Sequence, residues 1–300
     1  MTGVDHVTDH MDGRTAIVTG AGGGLGRAEA LALAKAGASV VVNDVAEPVS
    51  VVEEIEAAGG KAIAVTGDIG ERATADALVE AAVGQFGGLH VVVNNAGVLR
   101  DRMLFSMSDE EWDLVLRVHL RGHFLLSRNA SAYWRNKSKV DGQPVYGRVV
   151  NTASEAFLLG APGQPNYSAA KAGIVALTMS TARGLSKYGV RANAICPRAR
   201  TAMTKDVFGD APDGVDPLSV EHVAPLVAYL ASPPAARING QVFVVHGGMV
   251  ALLAPPTIEQ RFDTGNQLWS QDELQDRLGG YFADRDPERM FVTQEVLSLP

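Results

Sequence analysis

Residues 19–26 read T-G-A-G-G-G-L-G. They stand between a short apolar stretch, T-A-I-V-T at 15–19, and a segment with Leu25, Ala28, Leu31 and Ala32 available for packing. Strand, glycine turn, helix is the reading that most limits what the chain can become. Glycines at such a junction allow a tight turn and let backbone N–H groups approach an anion at the helix N-terminus. The pattern then repeats. A strand over 39–43 carries V-V-V at its centre, and a helix follows to about residue 58. Strand 62–65, helix 73–83 and strand 89–93 continue it. Apolar runs without polar alternation predict parallel strands covered on both faces.

Downstream, Ser108 and Glu111 form a capping box, with Met107 and Trp112 as its hydrophobic staple. The long helix they start carries Trp112, Val115, Leu116 and Leu120 on one stripe with His119, and reaches Leu126. A polar insertion is expected over 136–146, then a strand over 148–151. A helix bearing Tyr167 runs to about residue 187. Strand 191–195, an irregular segment to 217, helix 220–230 and strand 241–245 close the sheet. The fold class is therefore α/β. The element order resembles a Rossmann-like doubly wound parallel sheet of about seven strands with helices on both faces. Residues 1–12 read as an N-terminal tail and 13–253 as the dinucleotide-binding domain. Residues 254–300 read as a C-terminal extension, where Ser270 and Glu273 box the start of one short helix.

Of the 300 residues, 46% are hydrophobic and 20% charged, which suits a globular protein. Net charge is −8 and no Lys/Arg-dense run occurs, so neither nucleic acid nor an anionic membrane is an expected partner. The single cysteine, Cys196, excludes an internal disulfide and a cysteine-rich metal site; no metal is expected, and the location expected is cytoplasmic. No signal peptide is expected from a start that carries Asp5, Asp9 and Asp12, and S-L-P at 298–300 matches no lipidation signal.

The candidate site residues lie at strand ends. Gly20, Gly23, Gly24, Leu25 and Gly26 form the expected pyrophosphate turn. Asp44 ends the second strand, where a carboxylate can accept hydrogen bonds from ribose hydroxyls. Against a 2′-phosphate it would be a like charge, costing about 4 kcal/mol at ~4 Å and an effective dielectric of ~20. The expected cofactor is therefore NAD, not NADP. Asp68 and Ile69 follow the third strand and face the adenine in this reading. Asn95, Ala96 and Gly97 belong to N-N-A-G after the fourth strand, an expected cofactor wall. Ser154 follows the fifth strand. Tyr167 and Lys171, four apart, project from one helix face. For a phenol to act as acid/base near pH 7 takes a shift of about 3 units, or about 4 kcal/mol. A nearby ammonium is one source of that stabilisation.

Together these motifs resemble the short-chain dehydrogenase/reductase family over about residues 13–250. The motifs run in order: T-G-x-x-x-G-x-G, N-N-A-G, Ser154 and Y-x-x-x-K. The resemblance implies hydride transfer between nicotinamide and a carbonyl or alcohol carbon. It assigns Tyr167 as general acid/base, Lys171 to the nicotinamide ribose and to lowering the Tyr167 pKa, and Ser154 to the substrate oxygen. It also places Pro197, after the sixth strand, at the cofactor. Two departures stand out. His119 occupies the place where the family usually has Asn, and it is a candidate proton relay. The usual P-G is Pro197-Arg198, and Arg198 or Arg200 is a candidate for a substrate phosphate or carboxylate.

V-H-L-R-G at 118–122, L-R-D-R at 99–102 and G-G-G-L-G-R at 22–27 are similar to the subgroup containing the dehydrogenase part of the peroxisomal multifunctional β-oxidation enzyme. That implies a 3-hydroxyacyl-CoA substrate, with sterol side-chain degradation as one setting. The alternatives weighed are a hydroxysteroid dehydrogenase, a 3-oxoacyl-carrier-protein reductase and, from another class, a non-catalytic dinucleotide sensor. The loop over 201–218 is expected to roof an acyl-CoA or steroid-like substrate. The family also implies a homo-oligomer, a tetramer or dimer, through the helices starting near Ser108 and Asn166.

Overall fold

The computed structural model describes residues 10–204, 208–287 and 289–299. The chain divides into two compact units, the second beginning at Leu253. In the first, eight strands form one sheet in the order β3-β2-β1-β4-β5-β6-β7-β8. They are β1 Thr15–Thr19, β2 Ser39–Asp44, β3 Lys61–Thr66, β4 Val91–Asn94, β5 Gly147–Thr152, β6 Val190–Pro197, β7 Val242–His246 and β8 Met249–Leu252. The first seven pair in parallel, as expected; β8 is added antiparallel to β7 through a turn at Gly247, whose φ is +50°.

Successive strand residues point to opposite faces. Ala16, Val18, Val40, Val42, Val91 and Val93 enter one core cluster, and Ile17, Val41 and Val92 the other. That is why the strands read as unbroken apolar runs. Helices α1 Gly24–Lys35, α2 Val49–Ala57 and Ala224–Ala231 carry the first cluster. The second includes residues of α3 Arg72–Phe86 and of the long helix beyond β4.

That long helix departs from expectation. It begins at the predicted capping box as α4, Asp109–Leu116, widens to a π-turn at Arg117–Arg121, and continues as α5, Gly122–Asp141. The expected polar insertion is thus mostly helix, ended by Gly142 at φ +67°. Ala130, Trp134 and Ser138 make its buried stripe, with Trp134 Nε1 donating to Leu89 O at 2.8 Å and Ser138 Oγ to Gln143 O at 2.8 Å. A serine in the stripe makes the segment read as polar. A one-turn helix, α6 Ala156–Leu159, and the Tyr167-bearing α7, Pro165–Leu185, follow β5.

The tail expected over 1–12 lies outside the described residues up to residue 9. Met11, however, is fully buried and its N–H donates to Ala36 O at 2.9 Å, so the last part of that segment is packed, not loose. The second unit has a helical run from Gln271 to Phe282 starting at the predicted Ser270/Glu273 capping box, and a 3-10 turn at Gln294–Ser298. Among the described residues no helix is long and apolar enough to cross a membrane.

Candidate active site

β1 lies between β2 and β4, so the chain winds outward in one direction and then returns to the other side of β1. Such a switch point leaves a crevice at the carboxyl ends of the strands. The glycine turn leaves β1 there, and N-N-A-G leaves β4 beside it. Asn95 binds them together: Nδ2 donates to Thr19 O at 3.0 Å and Gly20 O at 3.1 Å, and its N–H donates to Thr19 Oγ1 at 3.1 Å. Ala96 N–H also reaches Thr19 Oγ1, at 3.2 Å. Gly20, at φ +63°, lies so close to Ala96 that a Cβ would be 2.7 Å from its Cα. At Gly26 a Cβ would stand 2.3 Å from Gly20 O.

These contacts leave a backbone cradle. Gly23 caps α1 with no side-chain hydrogen bond to the first turn, and a Cβ there would meet nothing within 4 Å. Gly24 is at φ +51°. Open N–H groups at a helix N-terminus suit a pyrophosphate, so the residues present fit a dinucleotide. Leu25 is turned into the core.

Asp44 accepts Gly22 N–H through Oδ2 at 2.9 Å and Val45 N–H through Oδ1 at 2.7 Å. Asn43, unforeseen from the sequence, ties β2 to β3 by donating to Val65 O and Gly67 O at 2.9 and 3.1 Å. Asp68 is already engaged: Oδ1 accepts Gly70 N–H at 2.8 Å, and Oδ2 pairs with Arg117 at 2.7 Å. Ile69 is buried beneath Gly122 of the long helix.

Behind N-N-A-G runs a buried polar chain that the sequence reading missed. Asn94 Nδ2 donates to Asn151 Oδ1 at 2.9 Å and Ser127 Oγ at 3.0 Å, and Asn151 Nδ2 donates to Thr178 Oγ1 at 2.8 Å. It locks β4, β5, α5 and α7 in one register. Asn166, also missed, holds the start of α7. Its Nδ2 donates to Arg100 O and Glu111 O at 3.1 and 3.2 Å, and its Oδ1 accepts Tyr167 N–H at 2.7 Å.

Ser154, Tyr167, Lys171 and His119 are brought together. Burial pushes the Tyr167 phenol up to about 12, and a hydrogen-bonding interaction with Ser154 works against it. Ser154 Oγ accepts Ala156 N–H at 3.2 Å. Lys171 is 2% exposed; its Nζ donates to Thr152 O at 2.6 Å and lies 5.2 Å from the Tyr167 ring centroid. Burial pushes the amine down to about 7. The expectation that Lys171 lowers the Tyr167 pKa is therefore not met in the protein alone. The ammonium is itself desolvated and lies against the ring, with a carbonyl as its hydrogen-bond partner.

The π-turn at Arg117–Arg121 presents His119 to this group. Its ring stands edge-on to Tyr167, with centroids 5.2 Å apart. Nε2 lies 3.0 Å from Val98 N and 2.8 Å from Val98 O, while Nδ1 is buried without a partner. A Cβ at Gly97 would be 2.3 Å from His119 Cε1, which explains the glycine there. Burial, aided by the Lys171 charge, holds the imidazole well below its ordinary pKa. Burial thus disfavours the charged form of the His119 ring. Among the described residues no cluster of His, Cys, Asp or Glu is arranged to hold a metal.

After β6, Pro197 is followed by two arginines that turn inward. Arg198 forms a two-pronged pair with Glu155, Nε to Oε2 at 2.7 Å and Nη2 to Oε1 at 2.9 Å. Arg200 Nε donates to Asp216 Oδ2 at 2.9 Å and Nη1 to Phe208 O at 2.6 Å. Both are internal clamps, which corrects their reading as substrate anchors. The partners lie 43 and 16 residues away in sequence and carry no local signal. Part of the expected substrate loop, residues 205–207, lies outside the described residues.

A family model described as short chain dehydrogenase matches residues 14–211. The chain is 60% identical to hydroxyacyl-CoA dehydrogenase ChsB1 of Mycobacterium tuberculosis over 97% of this chain and 95% of that protein. It is 43% identical to the mouse (Mus musculus) peroxisomal multifunctional enzyme type 2 over 81% of this chain, a match that spans 33% of the larger protein. A crystal structure of a short chain dehydrogenase from Mycobacterium avium superposes with a TM-score of 0.82 at 44% identity, covering 92% of this chain and 97% of that one.

Proposed function

The chain belongs to the short-chain dehydrogenase/reductase family and is an oxidoreductase that uses a nicotinamide dinucleotide; from that premise we propose that it oxidises the 3-hydroxyl of acyl-CoA thioesters with NAD, in β-oxidation. The observation that carries the reading is the convergence of Ser154, Tyr167 and Lys171 at the rim where the glycine turn opens. A relative named as a hydroxyacyl-CoA dehydrogenase, alike over nearly the whole chain, supports the substrate class; sterol side chains are one setting of this proposal to test.

The dinucleotide, when bound, supplies the hydride acceptor and a positive ring. Gly20, Gly23, Gly24 and Gly26 with the start of α1 would hold its pyrophosphate, and Asp44 the adenosine ribose. Asp68 and Ile69 would border the adenine, Asn95, Ala96, Gly97 and Pro197 the far wall, and Lys171 the second ribose. The Ser154 hydroxyl holds the alcohol oxygen and Tyr167 takes its proton. A phenol pushed up to about 12 is a weak base at pH 7, so the added positive charge is what brings it into working range. The Lys171 amine, pushed down to about 7 by burial, is anchored by donating to Thr152 O. His119 serves as a neutral wall that fixes the phenol's orientation. NAD is favoured over NADP by the Asp44 carboxylate; Arg27, next after the glycine turn, is already paired with Glu54 at 2.9 Å.

A homo-oligomer through the long helix is part of this proposal. Trp112, Leu116, Leu120 and Phe124 recur every four residues on its outer side, and Trp112 and Phe124 are exposed. A cytoplasmic setting fits the single, buried and unpaired cysteine. The test is NADH formation from a panel of 3-hydroxyacyl-CoAs and hydroxysteroids, repeated with NADP. Turnover confined to hydroxysteroids, or faster with NADP, would contradict the reading.

A further inference from the structure

We propose that the Glu155–Arg198 ion pair, braced by His246, is a positioning clasp that holds Ser154 in register with Tyr167. The proposal rests on the oxidoreductase reading above. Three adjacent strands end on one rim: β5 at Thr152, β6 at Pro197 and β7 at His246. Glu155 comes just after β5, Arg198 directly after β6, and His246 closes β7. The guanidinium engages both oxygens of Glu155, at 2.7 and 2.9 Å, and its Nη1 lies 3.3 Å from His246 Nε2. Arg198 N–H donates to Val245 O at 3.0 Å, fixing the base of the side chain as well as its tip. The side chains are only 20% and 13% exposed. A planar fork on a carboxylate fixes orientation as well as distance, which a point charge does not.

Glu155 is the residue from which α6 starts. Its carbonyl accepts Leu158 N–H at 2.8 Å and Leu159 N–H at 3.1 Å. The Ser154 hydroxyl in turn accepts Ala156 N–H at 3.2 Å. Displacing Glu155 therefore displaces both the backbone that carries the Ser154 hydroxyl and the donor that orients it. The clasp also lies within electrostatic reach of the proton-handling group. The buried Cys196 thiol, pushed up to about 12 chiefly by burial, is raised further by Glu155 and lowered by Lys171. On the other side Arg198 leads into Arg200, whose bonds to Asp216 and Phe208 hold the segment beyond β6.

The experiment compares wild type, R198M, E155Q/R198M, S154A and S154A/R198M with NAD and the 3-hydroxyacyl-CoA turned over fastest in the panel. R198M is expected to lower kcat 10- to 100-fold, with KM for NAD within threefold. E155Q/R198M should regain the thermal midpoint, because no buried charge is left unpaired, yet stay at least tenfold down in kcat. In the S154A background, R198M should cost less than a further twofold, because the clasp acts through that hydroxyl. Losses that multiply between S154A and R198M overturn the proposal. So does recovery of kcat together with stability in the double variant, or an R198M effect confined to KM for the acyl-CoA. Wild type inactive on every alcohol with either dinucleotide overturns the functional reading itself, and the clasp with it.

Discussion

The Asp44 carboxylate accepts the Gly22 N–H at 2.9 Å through Oδ2, tying the end of β2 to the glycine turn. The carboxylate proposed to read the ribose thus also shapes the glycine turn. Charge and hydrogen bonding are separable here. Asp44→Asn keeps an acceptor for Gly22 and loses the charge, so NAD affinity should fall modestly while discrimination against NADP drops tenfold or more. Asp44→Ala loses both and should weaken NAD more while also relaxing discrimination against NADP. Calorimetric titration of each variant with NAD and NADP measures this; an unchanged NAD/NADP ratio in Asp44→Asn would contradict the charge argument.

Gly26→Ala forces a methyl to within 2.3 Å of Gly20 O and 2.5 Å of Asn95 Nδ2, both held by other bonds. The turn and N-N-A-G must then part, and dinucleotide affinity should fall at least 100-fold. Gly84→Ala is the control. It lies inside α3, where a Cβ meets nothing within 4 Å, and should stabilise by roughly 0.4–1 kcal/mol. Thermal unfolding with and without NAD separates the two effects.

Glu29 is fully buried on α1, neither carboxylate oxygen has a hydrogen-bond partner, and desolvation pushes it up to about 8. The folded protein holds this proton after the unfolded chain has released it. Stability is therefore intact below about pH 4.5 and declines as pH rises toward 8. Glu29→Gln should remove that decline and stabilise the protein by a few kcal/mol, on the order implied by one pKa unit per 1.4 kcal/mol. Denaturant unfolding at pH 5 and pH 8 reads it: the variant's advantage should be larger at pH 8.

Phe124 is 43% exposed on the outer face of the long helix, in line with Leu120 and Leu116. Phe124→Glu should shift the protein to a smaller species in sedimentation velocity with its far-UV spectrum unchanged. An unaltered sedimentation coefficient would remove this face from the assembly.

The parallel sheet was legible because its first six strands show β-branched or small apolar residues to both cores, and β7 reads V-F-V-V. The candidate site residues were legible because the cradle and Ser154 follow strand ends, where chain order places them on one rim, and because Tyr167 and Lys171 lie one turn apart on α7. β8 was not: Met249–Leu252 is a short, half-exposed edge strand with no pattern of its own. The π-turn under His119 escaped because one widened turn shifts the side-chain register too briefly to stand out from the apolar stripe on either side. The helical stretch beyond residue 136 escaped because Ser138 fills a core position. Arg198 and Arg200 were visible as a departure, but their partners Glu155 and Asp216 are supplied by tertiary folding alone.

The central claim is that the Tyr167 phenol handles the proton of the alcohol while other groups hold the dinucleotide. Single-turnover NADH formation by Tyr167→Phe, with NAD binding measured in parallel, tests it most directly. The phenyl ring keeps its edge contact with His119, so NAD should bind within threefold of wild type while turnover falls 1,000-fold or more. Turnover within tenfold of wild type would contradict the account.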